Sequence, residues 1–173
     1  MLNYRSIEPA DAPAFWAMLN ALDGETEHMM YEPGERRERT DANRLGESLI
    51  RTLEGGDFLW IAEDAGEIVG FLHAARGAFR RNRHTAHVVI GIRKAWRRKG
   101  AGTALFDALE SWARASGVVR LELTVEGANS AARELYEKRG FVIEGLRQRS
   151  MRVNGEYVDE YYMAKLLSGK EAQ

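Results

Sequence analysis

The residues best placed to do chemistry are Arg97-Arg98-Lys99-Gly100-Ala101-Gly102, where three cations lead directly into a glycine-flanked turn. After them Leu105, Ala108, Leu109 and Trp112 lie at i, i+3, i+4 and i+7, which predicts an amphipathic helix from about Gly102 to near Gly117. The first N–H groups of such a helix have no intrahelical partner and carry about half a positive charge. Glycines let the backbone curl so that successive N–H groups point at one anion. Arg97 through Thr103 therefore form a candidate phosphate cradle, with the backbone making most of the contacts. Two other phosphate motifs fail. The Gly-x4-Gly-Lys-Ser/Thr loop is absent, and Gly-x-Gly-x-x-Gly breaks at Leu105.

Charge distribution points the same way. The net charge is −1, yet Arg76, Arg80, Arg81, Arg83, Arg93, Lys94, Arg97, Arg98 and Lys99 follow one another with no Asp or Glu between. A local anion site explains that better than a polyanionic partner, because the acidic remainder of the chain opposes nucleic acid. A second constellation is Asn129 with Tyr136, two helical turns apart and so on one helix face. Taken alone, the pair reads first as a helix N-cap and a packed ring, and only second as a site.

Several elements must position these groups. Leu2 to Ile7 reads as a short strand ended by Pro9. Asp11 is a candidate cap for a helix through Leu22, whose Phe15, Met18, Leu19 and Leu22 share a face. Asp23 to Thr40 has no periodicity and reads as a loop. A helix from about Asp41 to Leu53 stops at Gly55-Gly56, and strands follow at Phe58–Glu63, Ile68–Ala75 and Thr85–Ile92. Gly91 marks a bulge or a close approach. Beyond the cradle helix come a strand around Val119–Val125, a helix over Asn129–Arg139 and two strand-like runs joined by Asn154-Gly155. The order β-α-α-β-β-β-α-β-α-β-β predicts an α/β (α+β) domain over 1–167, with a mixed, largely antiparallel sheet, helices on both faces and a polar tail at 168–173. There is no cysteine, hence no disulfide, thiolate or Cys-based metal site, and no metal is expected. No apolar run suits a membrane helix or signal peptide, so a cytoplasmic protein without a membrane partner is expected.

Strand, Arg-x-x-Gly-x-Gly and amphipathic helix together resemble the coenzyme A signature of the GNAT acetyltransferase superfamily. Asn129-Ser-Ala-Ala-Arg-Glu-Leu-Tyr136-Glu-Lys-Arg-Gly-Phe141 is similar to that family's second signature, N-x-x-A-x-x-L-Y-x-K-x-G-F. The resemblance implies acetyl-CoA as co-substrate, with its pyrophosphate on Arg97–Thr103 and its pantetheine arm paired with Ile90, Gly91 and Ile92. It also implies that Asn129 touches the pantetheine or its phosphate region and that the Tyr136 hydroxyl lies near the thioester sulfur. Tyr136 then acts as general acid toward the departing thiolate, and backbone N–H groups around Ile90–Ile92 polarise the carbonyl. The superfamily often forms dimers, so a homodimer is possible.

A primary amine must be neutral to attack, which costs about 4.6 kcal/mol at pH 7 for a pKa near 10.4. Histone-type members place a glutamate where this chain has Ala86, which argues against a histone-like acceptor. His84, His87, Glu27, Glu32 or a water chain remain as bases. The acceptor site is expected from the 23–40 loop and the C-terminal strands. Glu25, Glu27, Glu32, Asp159 and Glu160 are candidates for drawing in a cationic amine, and Tyr31 for an apolar wall. The expected function is transfer of acetyl to a small-molecule amine such as an amino acid or polyamine. The alternatives are a protein N-terminal or lysine acetyltransferase, or a non-catalytic acyl-CoA sensor.

Overall fold

Residues Met1–Leu167 are described by the computed structural model, so the expected tail at 168–173 lies outside the described residues. In chain order the elements are β1 (Asn3–Ser6), α1 (Ala12–Asp23), α2 (Glu35–Arg39), α3 (Ala42–Glu54), β2 (Phe58–Asp64), β3 (Glu67–Arg76), β4 (Thr85–Ile92), α4 (Ala101–Ser116), β5 (Arg120–Glu126), α5 (Ser130–Lys138), β6 (Val142–Val153) and β7 (Glu156–Leu166). Short 3-10 turns at Pro9–Asp11 and Lys94–Trp96 precede α1 and α4. The fold is the expected mixed α/β type with seven mostly antiparallel strands. The described residues form two compact units, one of residues 1–75 and 89–109 and one of residues 76–88 and 110–167. Strand β4 and helix α4 run from one unit into the other.

In the first unit, β1, β2 and β3 form an antiparallel meander, with Arg5 opposite Ile61 and Ile61 opposite Phe71. The end of β4 continues it, and Arg93 N–H donates to the Val69 carbonyl at 2.9 Å. Phe15, Met18, Leu19 and Leu22 of α1 are buried with Ile7, Leu49, Leu59, Ile61 and Phe71, so the predicted apolar face is the core face. A Cβ on Gly91 would lie 2.5 Å from Leu22 Cδ2 and 2.7 Å from Phe71 Cε1. The expected close approach at this glycine is therefore the packing of α1 and β3 side chains over β4.

Two expectations for this unit need correction. Asp11 does not cap α1 with its side chain. Its carboxylate accepts instead from Glu8 N–H and from Arg5. The 23–40 segment is not loop throughout, because α2 occupies Glu35–Arg39. Five residues are too few to show a helical period in sequence. What stabilises this helix is tertiary: Arg36 forks onto Asp23 at 2.7 and 3.0 Å, with side-chain exposures of 11% and 1%.

In the second unit, the start of β4 pairs in parallel with β5, with Ala86 opposite Leu121. β5 is antiparallel to β7, and β7 to β6. Asn154 and Gly155 take φ of 49° and 86°, both in the left-handed region, as a two-residue hairpin turn requires. Glu110 of α4, 7% exposed, accepts from Lys165 Nζ at 2.6 Å and Arg139 Nη2 at 2.8 Å, tying α4 to β7 and to the end of α5. Among the described residues no helix is long and apolar enough to cross a membrane.

Candidate active site

The phosphate-cradle residues lie in the first unit. β4 ends at Ile92, the 3-10 turn follows, and Arg97 folds back so that its Nε donates to the Ile92 carbonyl at 2.9 Å. Arg98 and Gly100 then adopt φ of 59° and 86°. Two left-handed residues flanking Lys99 curl the backbone into a tight concave turn, the shape that gathers N–H groups. Helix α4 begins at Ala101, one residue before the expected Gly102. Ala104 N–H donates to the Gly100 carbonyl at 3.1 Å. The N–H groups of Ala101, Gly102 and Thr103 therefore precede the first i to i−4 bond of the helix. The space beside Gly100 is open, and Arg97, Arg98, Lys99 and Gly100 are exposed. Orphan amides, exposed cations and open space fit a pyrophosphate.

Three hydrogen bonds anchor the segment that leads into the turn. Arg93 Nε donates to Glu25 Oε1 at 2.8 Å, Lys94 N–H donates to Glu25 Oε2 at 2.6 Å, and Trp96 Nε1 donates to Asp64 Oδ2 at 2.9 Å. Partial burial works to raise the Glu25 pKa, but the Lys94 N–H and Arg93 outweigh it and hold the carboxyl below its ordinary value. Glu25 was expected to attract an amine; it is already committed to the turn.

Along β4, Ala86 and Val88 are buried while His87 and Val89 are exposed, but the next buried residue is Gly91. The alternation changes phase within Val89–Gly91, at the start of the Ile90–Ile92 stretch expected to splay toward the pantetheine. His84 and His87 are both exposed, and His87 lines a small cavity of about 130 Å³ with Arg120, Glu122, Glu144 and Tyr162.

The second signature lies in the second unit. Asn129 caps α5, its Oδ1 accepting from Ala132 N–H at 3.2 Å. That use leaves the donor side of the amide to face elsewhere. Tyr136 is buried, 7% exposed, with the Phe141 ring at 5.9 Å. Burial pushes its hydroxyl up to about 12. The phenol is thus held firmly in the protonated form.

The acceptor candidates are divided between the units. Glu27 and Glu32 are exposed in the first, and Tyr31 lies against the Arg36 guanidinium at 4.3 Å. In the second, Asp159 Oδ1 accepts from Arg149 N–H at 2.7 Å, and Glu160 is buried and paired with Arg147 at 3.1 Å. Asp159 also lines a cavity of about 430 Å³ with Glu126, Leu146, Tyr157, Val158 and Tyr161. Glu126 and Tyr157 carried no sequence signal, because β5 and β7 meet only by pairing, with Glu126 opposite Glu160.

Known proteins bear out the signatures. The model of the Acetyltransferase (GNAT) family matches residues 16–141. The chain is similar to an L-amino acid N-acetyltransferase of Escherichia coli (strain K12), 37% identical over 105 residues, which span 58% of this chain and 63% of that protein. It is 29% identical over 157 residues to an L-methionine sulfoximine/L-methionine sulfone acetyltransferase of Pseudomonas aeruginosa, covering 89% and 88% of the two chains. The crystal structure of a GNAT-family acetyltransferase from Streptococcus pneumoniae superposes with a TM-score of 0.90 at 31% identity, covering 97% of this chain and 100% of that one. A matching family model over most of the chain, on the fold and turn described above, means that this chain belongs to the GNAT acetyltransferase family, whose co-substrate is acetyl-coenzyme A.

Proposed function

We propose that the chain transfers the acetyl group of acetyl-coenzyme A to the amino group of a small amino acid or a related primary amine. The observation that carries this reading is the turn at the head of α4, where left-handed Arg98 and Gly100 precede three orphan amides. The amino-acid substrates named for the Escherichia coli and Pseudomonas relatives support the choice of acceptor. In this reading Arg97–Thr103 bind the pyrophosphate and Ile90–Ile92 present backbone groups to the pantetheine arm and thioester carbonyl. Asn129 adds a side-chain donor. The neutral amine attacks the carbonyl carbon, the C–S bond breaks, and the amine's proton ends on the coenzyme A thiol. Tyr136 donates a hydrogen bond to the sulfur as negative charge develops there. The 430 Å³ cavity receives the acceptor, since carboxylates at Glu126 and Asp159 beside the Tyr157 and Tyr161 rings suit an ammonium group.

The direct test is acetyl transfer measured with L-methionine sulfoximine, a panel of L-amino acids, polyamines and an N-terminal peptide. Turnover confined to the peptide would replace the small-molecule reading. Gly102→Val, which puts a branched side chain on the second helical residue, should raise the KM for acetyl-coenzyme A about 10- to 100-fold, the worth of one or two charge-assisted hydrogen bonds. The amine KM should change far less. Equal weakening of both would make the turn structural. Asp159→Asn should do the reverse, raising the amine KM about fivefold, as suits a solvent-screened ion pair. An unchanged amine KM would remove the cavity from the acceptor site.

A further inference from the structure

Glu25 stands out among the carboxylates because both its oxygens are spent at the foot of the phosphate turn, on groups 68 and 69 residues away. Oε2 takes the first N–H of the 3-10 turn Lys94–Trp96, and Oε1 takes Arg93, whose guanidinium also approaches Glu67 at 3.4 Å and the Trp96 ring at 5.9 Å. The side chains of Glu25 and Arg93 are 24% and 20% exposed, so most of this pair is removed from solvent. Glu25 is also the second residue after α1, at the start of the 24–40 segment. That segment is fixed at its far end, where Arg36 forks onto Asp23 and Arg37 Nε donates to Asn20 Oδ1 at 3.1 Å. Its near end is fixed by Glu25 onto the turn. The phosphate turn and the 24–40 segment are consequently two ends of one hydrogen-bonded lever.

We propose that Glu25 is a positioning residue that couples the two, so that a phosphate ligand on the turn and an ordered 24–40 segment stabilise each other. This rests on the reading of the turn as the coenzyme A site. A carboxylate beside Arg93 and Arg97 would, by charge alone, repel a phosphate. If Glu25 were only a neighbouring charge, removing it would tighten anion binding. If it holds the Lys94 amide and the Arg93 guanidinium in place, removing it loosens the turn and weakens binding. The two roles have opposite signs. Coupling of this kind is reciprocal, and typically amounts to about 5- to 150-fold in affinity.

The test uses free coenzyme A as the probe, with affinity from calorimetry and hydrogen exchange read over 26–40. In the wild-type chain coenzyme A should slow exchange across 26–40. Glu25→Ala should bind coenzyme A at least about fivefold more weakly and lose the ligand-dependent slowing. Glu25→Gln, isosteric and still able to accept from Lys94 N–H, should fall between, and keeps the test valid if the alanine variant folds poorly. Tighter binding by Glu25→Gln, or undiminished slowing in both variants, would overturn the coupling. Binding by the wild-type chain without slowing over 26–40 would overturn the coupling alone. Failure of the wild-type chain to bind would overturn the proposed function as well.

Discussion

Tyr136→Phe is expected to lower kcat by about 10²- to 10⁴-fold, the usual worth of a positioned proton or hydrogen-bond donor, while acetyl-coenzyme A still binds. The expectation from sequence alone takes the hydroxyl at its ordinary pKa near about 10. Burial raises it to about 12. An ordinary thiol ionises near about 8.5, so complete transfer of the phenolic proton to the thiolate is uphill by about 3.5 pH units, or roughly 5 kcal/mol. Tyr136 therefore suits a donor that shares its proton with the developing charge and keeps it. The raised value also fixes the sign of the pH dependence. The phenol stays protonated well past neutrality, so no fall in kcat below about pH 10 belongs to this group. The rise of activity with pH instead reports amine deprotonation. A pH profile of wild type and Tyr136→Phe checks this: the two curves should be parallel, and an alkaline limb lost in the variant would mean that the tyrosine titrates in the assay range. Equal kcat values would remove Tyr136 from the chemistry.

Glu110→Gln should produce the largest loss of stability. The substitution keeps the shape and removes the charge that faces Lys165 and Arg139, whose side chains are 19% and 18% exposed. Breaking a buried ion pair from one side costs about 3–5 kcal/mol, because the remaining charge is left uncompensated. Partial solvent access to both cations places this site near the lower end, about 3 kcal/mol. For a chain of this length that corresponds to a fall in Tm of about 6–12 °C. Burial works to raise the Glu110 pKa, but Lys165 and Arg139 prevail and hold it below its ordinary value. A carboxylate depressed in the folded state contributes fully above its unfolded pKa, about 4.3, and the contribution is lost as pH falls through the folded value. The gap in Tm between wild type and Glu110→Gln should be constant near neutrality and close in acid. A gap independent of pH would show that packing, not charge, makes the difference.

Much of the scaffold was readable in advance. β4 runs over the expected Thr85–Ile92, the apolar face of α1 is the buried one, and Asn154-Gly155 makes the expected hairpin. These elements are specified by alternation, helical spacing and turn residues within a few positions of one another. The tight turn before α4 is local in the same way, because the positive φ values of Arg98 and Gly100 depend on neighbouring residues. α2 was not readable, since it owes its place to Arg36 meeting Asp23 across thirteen residues. Nor was the use of Glu25, which in sequence is one of several acids able to draw in an amine, whereas its partners Arg93 and Lys94 lie 68 and 69 residues away.

What the sequence by itself determined is the fold class, the order of every element but α2 and, through two signatures, the family. Only the tertiary structure decided that Tyr136 is buried enough to keep its proton to about 12, that Glu25 serves the turn, and that Glu110 answers Lys165 and Arg139. The reason is one of range. A helix period, a glycine turn or a cap is settled by groups a few residues apart, whereas desolvation and ion pairing depend on which distant segments the fold brings alongside.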